Sequence, residues 1–149
     1  MKHYCEDVHE HKHGHEHDHK YGHDRAEHEA HALLDNALTL SGSWRRTCDP
    51  PIPAEEMQAW VEDGLRQIAS LLAEDKVILG HIKALLSCGE SGTGGIAFSI
   101  TRLDTVDRTA VGTWPPVGSV LEWTLTVNVL SLVHRPEVTQ EVLEKLFSS

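Results

Sequence analysis

A chain of 149 residues has room for one ordinary domain, and its formal net charge of −10 at pH 7 offers a phosphate backbone no electrostatic support, which excludes nucleic acid as a partner. No apolar run approaches the roughly 20 residues that span a bilayer, and none near the N-terminus has the form of a signal peptide, so no membrane role is expected and the protein reads as soluble and cytoplasmic. Three cysteines, Cys5, Cys48 and Cys88, odd in number and without a C-x-x-C pair, argue against a disulfide framework and fit a reducing compartment.

The first feature along the chain is "HEHKHGHEHDHKYGH", residues 9–23, with seven histidines in fifteen positions. His9, His11, His13, His15, His17 and His19 alternate strictly with other residues; His23, His28 and His31 extend the series. A purification handle is usually an uninterrupted run, whereas here Glu10, Lys12, Gly14, Glu16 and Asp18 intervene. Ten of the twelve histidines fall in residues 1–31. Residues 1–25 have no periodic apolar positions and bury too little surface to offset backbone entropy, so they are expected to be disordered without metal.

A neutral imidazole offers one nitrogen lone pair and suits nickel, cobalt, copper and zinc. In an extended chain alternate side chains point the same way, so H-x-H sets two imidazoles on one side of the backbone. The acidic residues between them lower the cost of bringing in a dication, and Gly14 and Gly22 let the chain turn around it. At three to four ligands per ion, ten histidines hold about two to three ions. Such an array imposes no geometry, so its affinities follow the general first-row order.

The segment from His3 to His31 resembles the histidine-rich tails and loops of nickel- and zinc-handling proteins: the hydrogenase-maturation nickel GTPase, the urease nickel chaperone, the GTPases related to cobalamin-synthesis proteins, and the acidic-histidine loops of periplasmic zinc-binding proteins. The resemblance covers about a fifth of the chain and implies that His9, His11, His13, His15, His17, His19 and His23 are metal-storage ligands. The remainder has no G-x-x-x-x-G-K-[ST] and no C-x-C-C, so GTP hydrolysis is not implied.

From Ala26 the character changes. Ala30, Leu33, Leu34, Ala37 and Leu38 recur at helical spacing, with Asp24 as N-cap and Gly42 as stop, which predicts a helix over about 26–40. Residues 41–53, "SGSWRRTCDPPIP", read as a loop. Met57, Trp60, Val61, Leu65, Ile68, Leu71 and Leu72 predict a second helix from Pro53 to about Ala73. Three strands are expected next: 77–88, 96–103 and 119–133. The first two are joined by a hairpin loop, "GESGTGG", and residues 104–118 form a long connection with room for a short extended piece. In the third strand Leu121, Trp123, Leu125, Val127 and Val129 share a face, with a parity change at Val129–Leu130. Pro136 opens a last helix.

This order predicts an α+β fold, a small three-stranded antiparallel sheet with helices on one face (26–149) preceded by the histidine-rich tail (1–25). So small a sheet invites completion by a second subunit, and a homodimer is expected. On the first helix Glu27, His31 and Asp35 lie on one stripe with His28 beside it, a candidate site for one ion in a defined geometry. His81 and Lys83 are placed on the polar sheet face with Ser99, Thr101, Thr124 and Asn128; His134 leads into the last helix. Cys48 and Cys88 join no recognisable Cys/His/Asp set and read as buried or idle thiols, and no catalytic constellation stands out. The functional expectation is a metal-handling accessory protein that binds nickel, cobalt or zinc ions through His9, His11, His13, His15, His17, His19, His23, His28 and His31, its domain docking on a metalloenzyme or a metal-inserting GTPase. The alternative is a small ligand-binding or enzymatic domain that acts through the sheet face near His81.

Overall fold

The computed structural model describes residues 37–89, 94–115, 119–133 and 135–148. Its elements are β1 (Leu38–Pro53), α1 (Ala54–Leu72), β2 (Val77–Cys88), β3 (Gly94–Arg102), β4 (Thr105–Gly112), β5 (Ser119–Ser131) and α2 (Gln140–Phe147). The strands form one sheet in the order β1-β5-β2-β3-β4, antiparallel at every junction. The fold is α+β, but the expected three-stranded sheet is corrected to five strands.

Both added strands lie at the edges. Residues 38–40, read as the end of a helix, and 41–53, read as a loop, together make β1. Leu38, Leu40, Gly42 and Trp44 turn toward the helices while Thr39, Ser41, Ser43 and Arg45 turn away, a period of two. The helical stripe that ends at Leu38 and the loop-like composition of Ser41, Gly42, Pro50 and Pro51 hid this alternation. Strand β4 follows β3 through a two-residue hairpin at Leu103 and Asp104, since Arg102 pairs with Thr105. The larger sheet still has two edge strands, β1 and β4, with β2, β3 and β5 internal.

Strand β5 pairs with β1 on one side and β2 on the other. Trp123, Leu125, Val127 and Val129 face the core, and the alternation holds through Ser131, so the expected parity change at Val129–Leu130 is not there. It lies at the other end: Val120 is buried and Leu121 is 53% exposed. Opposite this point Thr47 pairs with Glu122 and Ile52 with Val120, so residues 48–51 of β1 stand against a single residue of β5. Pro50 and Pro51 have no N–H to donate to the ladder, and an edge-strand bulge accommodates that loss.

The two helices cover the same face of the sheet. On α1 the buried stripe is Met57, Val61, Leu65, Ile68 and Leu72, with Glu55 and Glu56 near its positive N-terminal end. Helix α2 begins at Gln140, not at Pro136, because the Thr139 side chain accepts a hydrogen bond from the Val142 N–H at 3.3 Å. Val138 and Leu143, on either side of this cap, are both buried at the spacing of a hydrophobic staple. Phe147 at the end of α2 lies 5.3 Å from the Trp44 ring and 5.8 Å from Trp60, which in turn stacks edge-on against Trp123 at 5.3 Å. The Trp44 indole donates to Glu144 at 3.0 Å, and Arg46 donates to the Ser148 carbonyl, so β1 holds both ends of the α2 C-terminal turn.

Phe147 fits because α1 has glycine at position 64: a Cβ there would sit 2.5 Å from the Phe147 ring. Alanine gains about 1 kcal/mol in helix propensity, while overpacking a close-packed site costs about 1–3 kcal/mol. Gly64→Ala is therefore expected to lose about 1 kcal/mol net in chemical denaturation; a more stable variant would show that the notch is not needed.

Candidate functional site

The expected metal ligands His9, His11, His13, His15, His17, His19, His23, His28 and His31 lie outside the described residues, as do Glu27, Asp35 and His134. Among the described residues no group of three or more His, Cys, Asp or Glu side chains is placed to hold a metal ion. The one histidine among them is His81 on β2.

Because Ile82, Ala84 and Leu86 point into the core, His81, Lys83, Leu85 and Ser87 point to the other face of the sheet, which neither helix covers. Strand pairing fixes what stands beside them. Thr39, Leu130 and His81 form one row across β1, β5 and β2. The next row on this face runs Ser41, Asn128, Lys83, Ser99 and Asp107 across all five strands, and the one after it Ser43, Thr126, Leu85, Ala97 and Thr109. Ser43 and Thr126 share a hydrogen bond at 3.2 Å. Lys83, Ser99, Thr124 and Asn128 thus lie on the face where the alternation of the sequence put them.

These rows border a shallow cleft of about 400 Å³ lined by Leu85 and Ala97 together with Lys83, Ser99, Asp107 and Asn128. Leu85 is 41% exposed, which is unusual for a leucine at the middle of a central strand. Lys83 makes no ion pair with any described residue. Just before His81, Gly80 has φ of 150°, and a Cβ there would lie 2.0 Å from the Leu130 carbonyl oxygen. Only glycine fits, so β5 presses directly on the backbone that carries the histidine.

On the helix side, a second cavity of about 370 Å³ is walled by Trp60, Trp123, Met57, Cys48 and Glu56. Burial pushes the nearby Cys88 thiol up to about 11, and Cys48 adds to the rise. At neutral pH Cys88 is then a protonated thiol, a poor nucleophile and a poor metal ligand. Farther along the same side Arg108 of β4 grips Glu62 of α1 with two donors, Nη2 reaching Oε2 at 2.7 Å and Nε reaching Oε1. Arg108 holds the Glu62 carboxyl below its ordinary value of 4.5, more than offsetting the opposing effect of burial. This pair fastens an edge strand to a helix, and nothing about it points to a ligand.

No protein-family model matches the chain, and no curated protein matches it. Two solved structures align with it. One is the Zn(II)-bound YjiA GTPase from E. coli, at 11% identity and a TM-score of 0.34, over 74% of this chain and 30% of that one. The other is a Zn(II)-bound triple mutant of YjiA GTPase, at 13% identity and a TM-score of 0.39, over 76% of this chain and 29% of that one. The chain spans less than a third of the length of either, and likenesses this slight do not bear on what it binds. Among the described residues no helix is long and apolar enough to cross a membrane.

The Glu62–Arg108 pair predicts an acid-sensitive contribution to stability. A carboxyl held below 4.5 stabilises the fold fully above that pH and loses its contribution as pH falls through the lowered value. With Arg108 nearly half exposed, the pair is worth about 1–2 kcal/mol, between the surface and buried cases. Glu62→Gln is expected to lose that amount at pH 7 in urea denaturation, and the gap from the parent protein should close as pH falls through the lowered value of the Glu62 carboxyl. A gap that stays constant with pH would assign the loss to packing.

Proposed function

We propose that this protein is a metal-handling accessory protein: the histidine-rich N-terminal segment collects nickel, cobalt or zinc, and the α+β domain docks on the protein that receives the ion, a metalloenzyme or a metal-inserting GTPase. The observation that carries this reading is the run of seven histidines in residues 9–23, six of them strictly alternating and interleaved with carboxylates. Interchangeable ligands at short spacing suit storage and scavenging, since an ion can pass from one set to the next without a large barrier of rearrangement. A second reading is favoured by the open-face cleft, whose lining includes Lys83, Asp107 and Asn128 and suits a small polar ligand. The two separate in a deletion of residues 1–25: the first loses its function, the second keeps it and loses it instead with Lys83→Ala.

Equilibrium dialysis of the whole chain against nickel, cobalt or zinc is expected to give about two to three bound ions, and the deletion of residues 1–25 to lose most of them. Unchanged uptake in the deletion would end the reading. Imidazoles titrate near 6.5 and cannot ligate once protonated, so the bound metal is expected to be released as pH falls from about 7 to 5. Retention at pH 5 would point to thiolate or carboxylate ligands.

A further inference from the structure

We propose that the cavity on the helix side of the sheet, beside the β1 bulge, binds a free amino acid with an aromatic side chain. The inference is independent of the metal-handling reading and of the open-face cleft, which lies on the other side of the sheet.

The bulge makes the space. Residues 48–51 stand against a single residue of β5, so β1 leaves the ladder here and rejoins it at Ile52. A bulge bends its strand and re-aims side chains, which is why bulges are common beside functional sites. The chain then passes from Pro53 directly into α1, and the first two turns of that helix form the other side of the cavity. Its volume is about 370 Å³. Small-molecule sites run from about 300 to 1,000 Å³, so this one suits a ligand of amino-acid size.

One part of the lining is apolar. Trp60, Trp123 and Met57 contribute to it, and the two indoles meet edge-on with centroids 5.3 Å apart. Trp60 is only partly buried, although its neighbour Val61 is wholly so. A third ring in such a corner gains edge or offset contacts with the indoles and a contact with the thioether sulfur. An aliphatic chain gains buried area alone.

The other part is a pair of opposite charges. Arg46 pairs across the strands with Trp123 and so shares its face, and Glu56 shares a flank of α1 with Trp60, four residues on. Both line the cavity, yet neither makes an ion pair with the other or with any other described residue. Arg46 directs one N–H at the Ser148 carbonyl, and a guanidinium has five. A zwitterion answers both side chains, its carboxylate accepting from Arg46 and its ammonium donating to Glu56. A ligand with a single charge leaves one of the two without a partner.

Cys48, half-buried, lines the same cavity, whereas Cys88 is buried. A bound ligand therefore shields one particular thiol. The test uses the full chain with L-phenylalanine as the probe, and reads the rate of iodoacetamide labelling at Cys48 by peptide mass spectrometry. Phenylalanine is expected to slow that labelling saturably. Phenethylamine, which lacks the carboxylate, and phenylpropionate, which lacks the ammonium, should each bind about tenfold or more weakly, the loss of one hydrogen-bonded charge. Glu56→Gln should weaken phenylalanine and phenethylamine and leave phenylpropionate unchanged; Arg46→Gln should weaken phenylalanine and phenylpropionate and leave phenethylamine unchanged. A thermal melt checks that each variant is folded, and the two analogues test the same assignment on the unaltered protein. If phenylalanine gives no saturable protection, or if either analogue binds as tightly as phenylalanine, the proposal falls. If leucine binds as tightly as phenylalanine, the aromatic assignment falls.

Discussion

The ring of Phe147 is the point on which the helix side of this fold converges. It lies between Trp44 of β1 and Trp60 of α1, in a notch that Gly64 leaves on α1, and Trp60 passes the contact on to Trp123 of β5. Burying an aromatic ring of this kind is worth about 3–5 kcal/mol by truncation, more than the ion pair between Glu62 and Arg108 can supply. The polar links therefore set position and not strength. Glu62 and Arg108 fix α1 against the β4 edge, and Glu144 and Trp44 fix α2 against the β1 edge.

Because this cluster holds both helices to one side, the opposite side of the sheet has no cover among the described residues. The strands are written for that asymmetry: β5 sends Trp123, Leu125, Val127 and Val129 inward and Glu122, Thr124, Thr126 and Asn128 outward. A purely polar outer face would need nothing more. Leu85 and Ala97 at its centre, beside a lysine without an ion-pair partner among the described residues, break the pattern.

How much of this was legible in the residues varied with the strength of the local signal. The stripe from Met57 to Leu72 was long and periodic enough to give α1 nearly to its ends; alternation marked the two faces of β3 and of β5 from Trp123 to Val129, whereas β2, ambiguous by period, read as a strand from Gly80 and its β-branched start. Strand β1 was missed although Leu38, Leu40 and Trp44 alternate with Thr39, Ser43 and Arg45, because the preceding helical stripe runs into it and because glycine and prolines occupy its length. The outward turn of Leu121 had no local signal at all, since its cause is a bulge in a partner strand some seventy residues earlier. The same holds for Gly64, whose reason is a ring eighty-three positions later. Of the candidate site, the composition of residues 9–31 and the outward parity of His81 could be read directly; that Thr39 of β1 shares a row with His81 across β5 depended on strand order, which periodicity does not encode.

On the proposed reading, storage and selection place opposite demands on ligands. A series of interchangeable imidazoles accepts any divalent ion of the first row in the general affinity order, with copper at the top, and so cannot by itself favour nickel, cobalt or zinc. Discrimination needs ligands whose number and direction are set before the ion arrives, and among the described residues no group of three or more His, Cys, Asp or Glu side chains offers that.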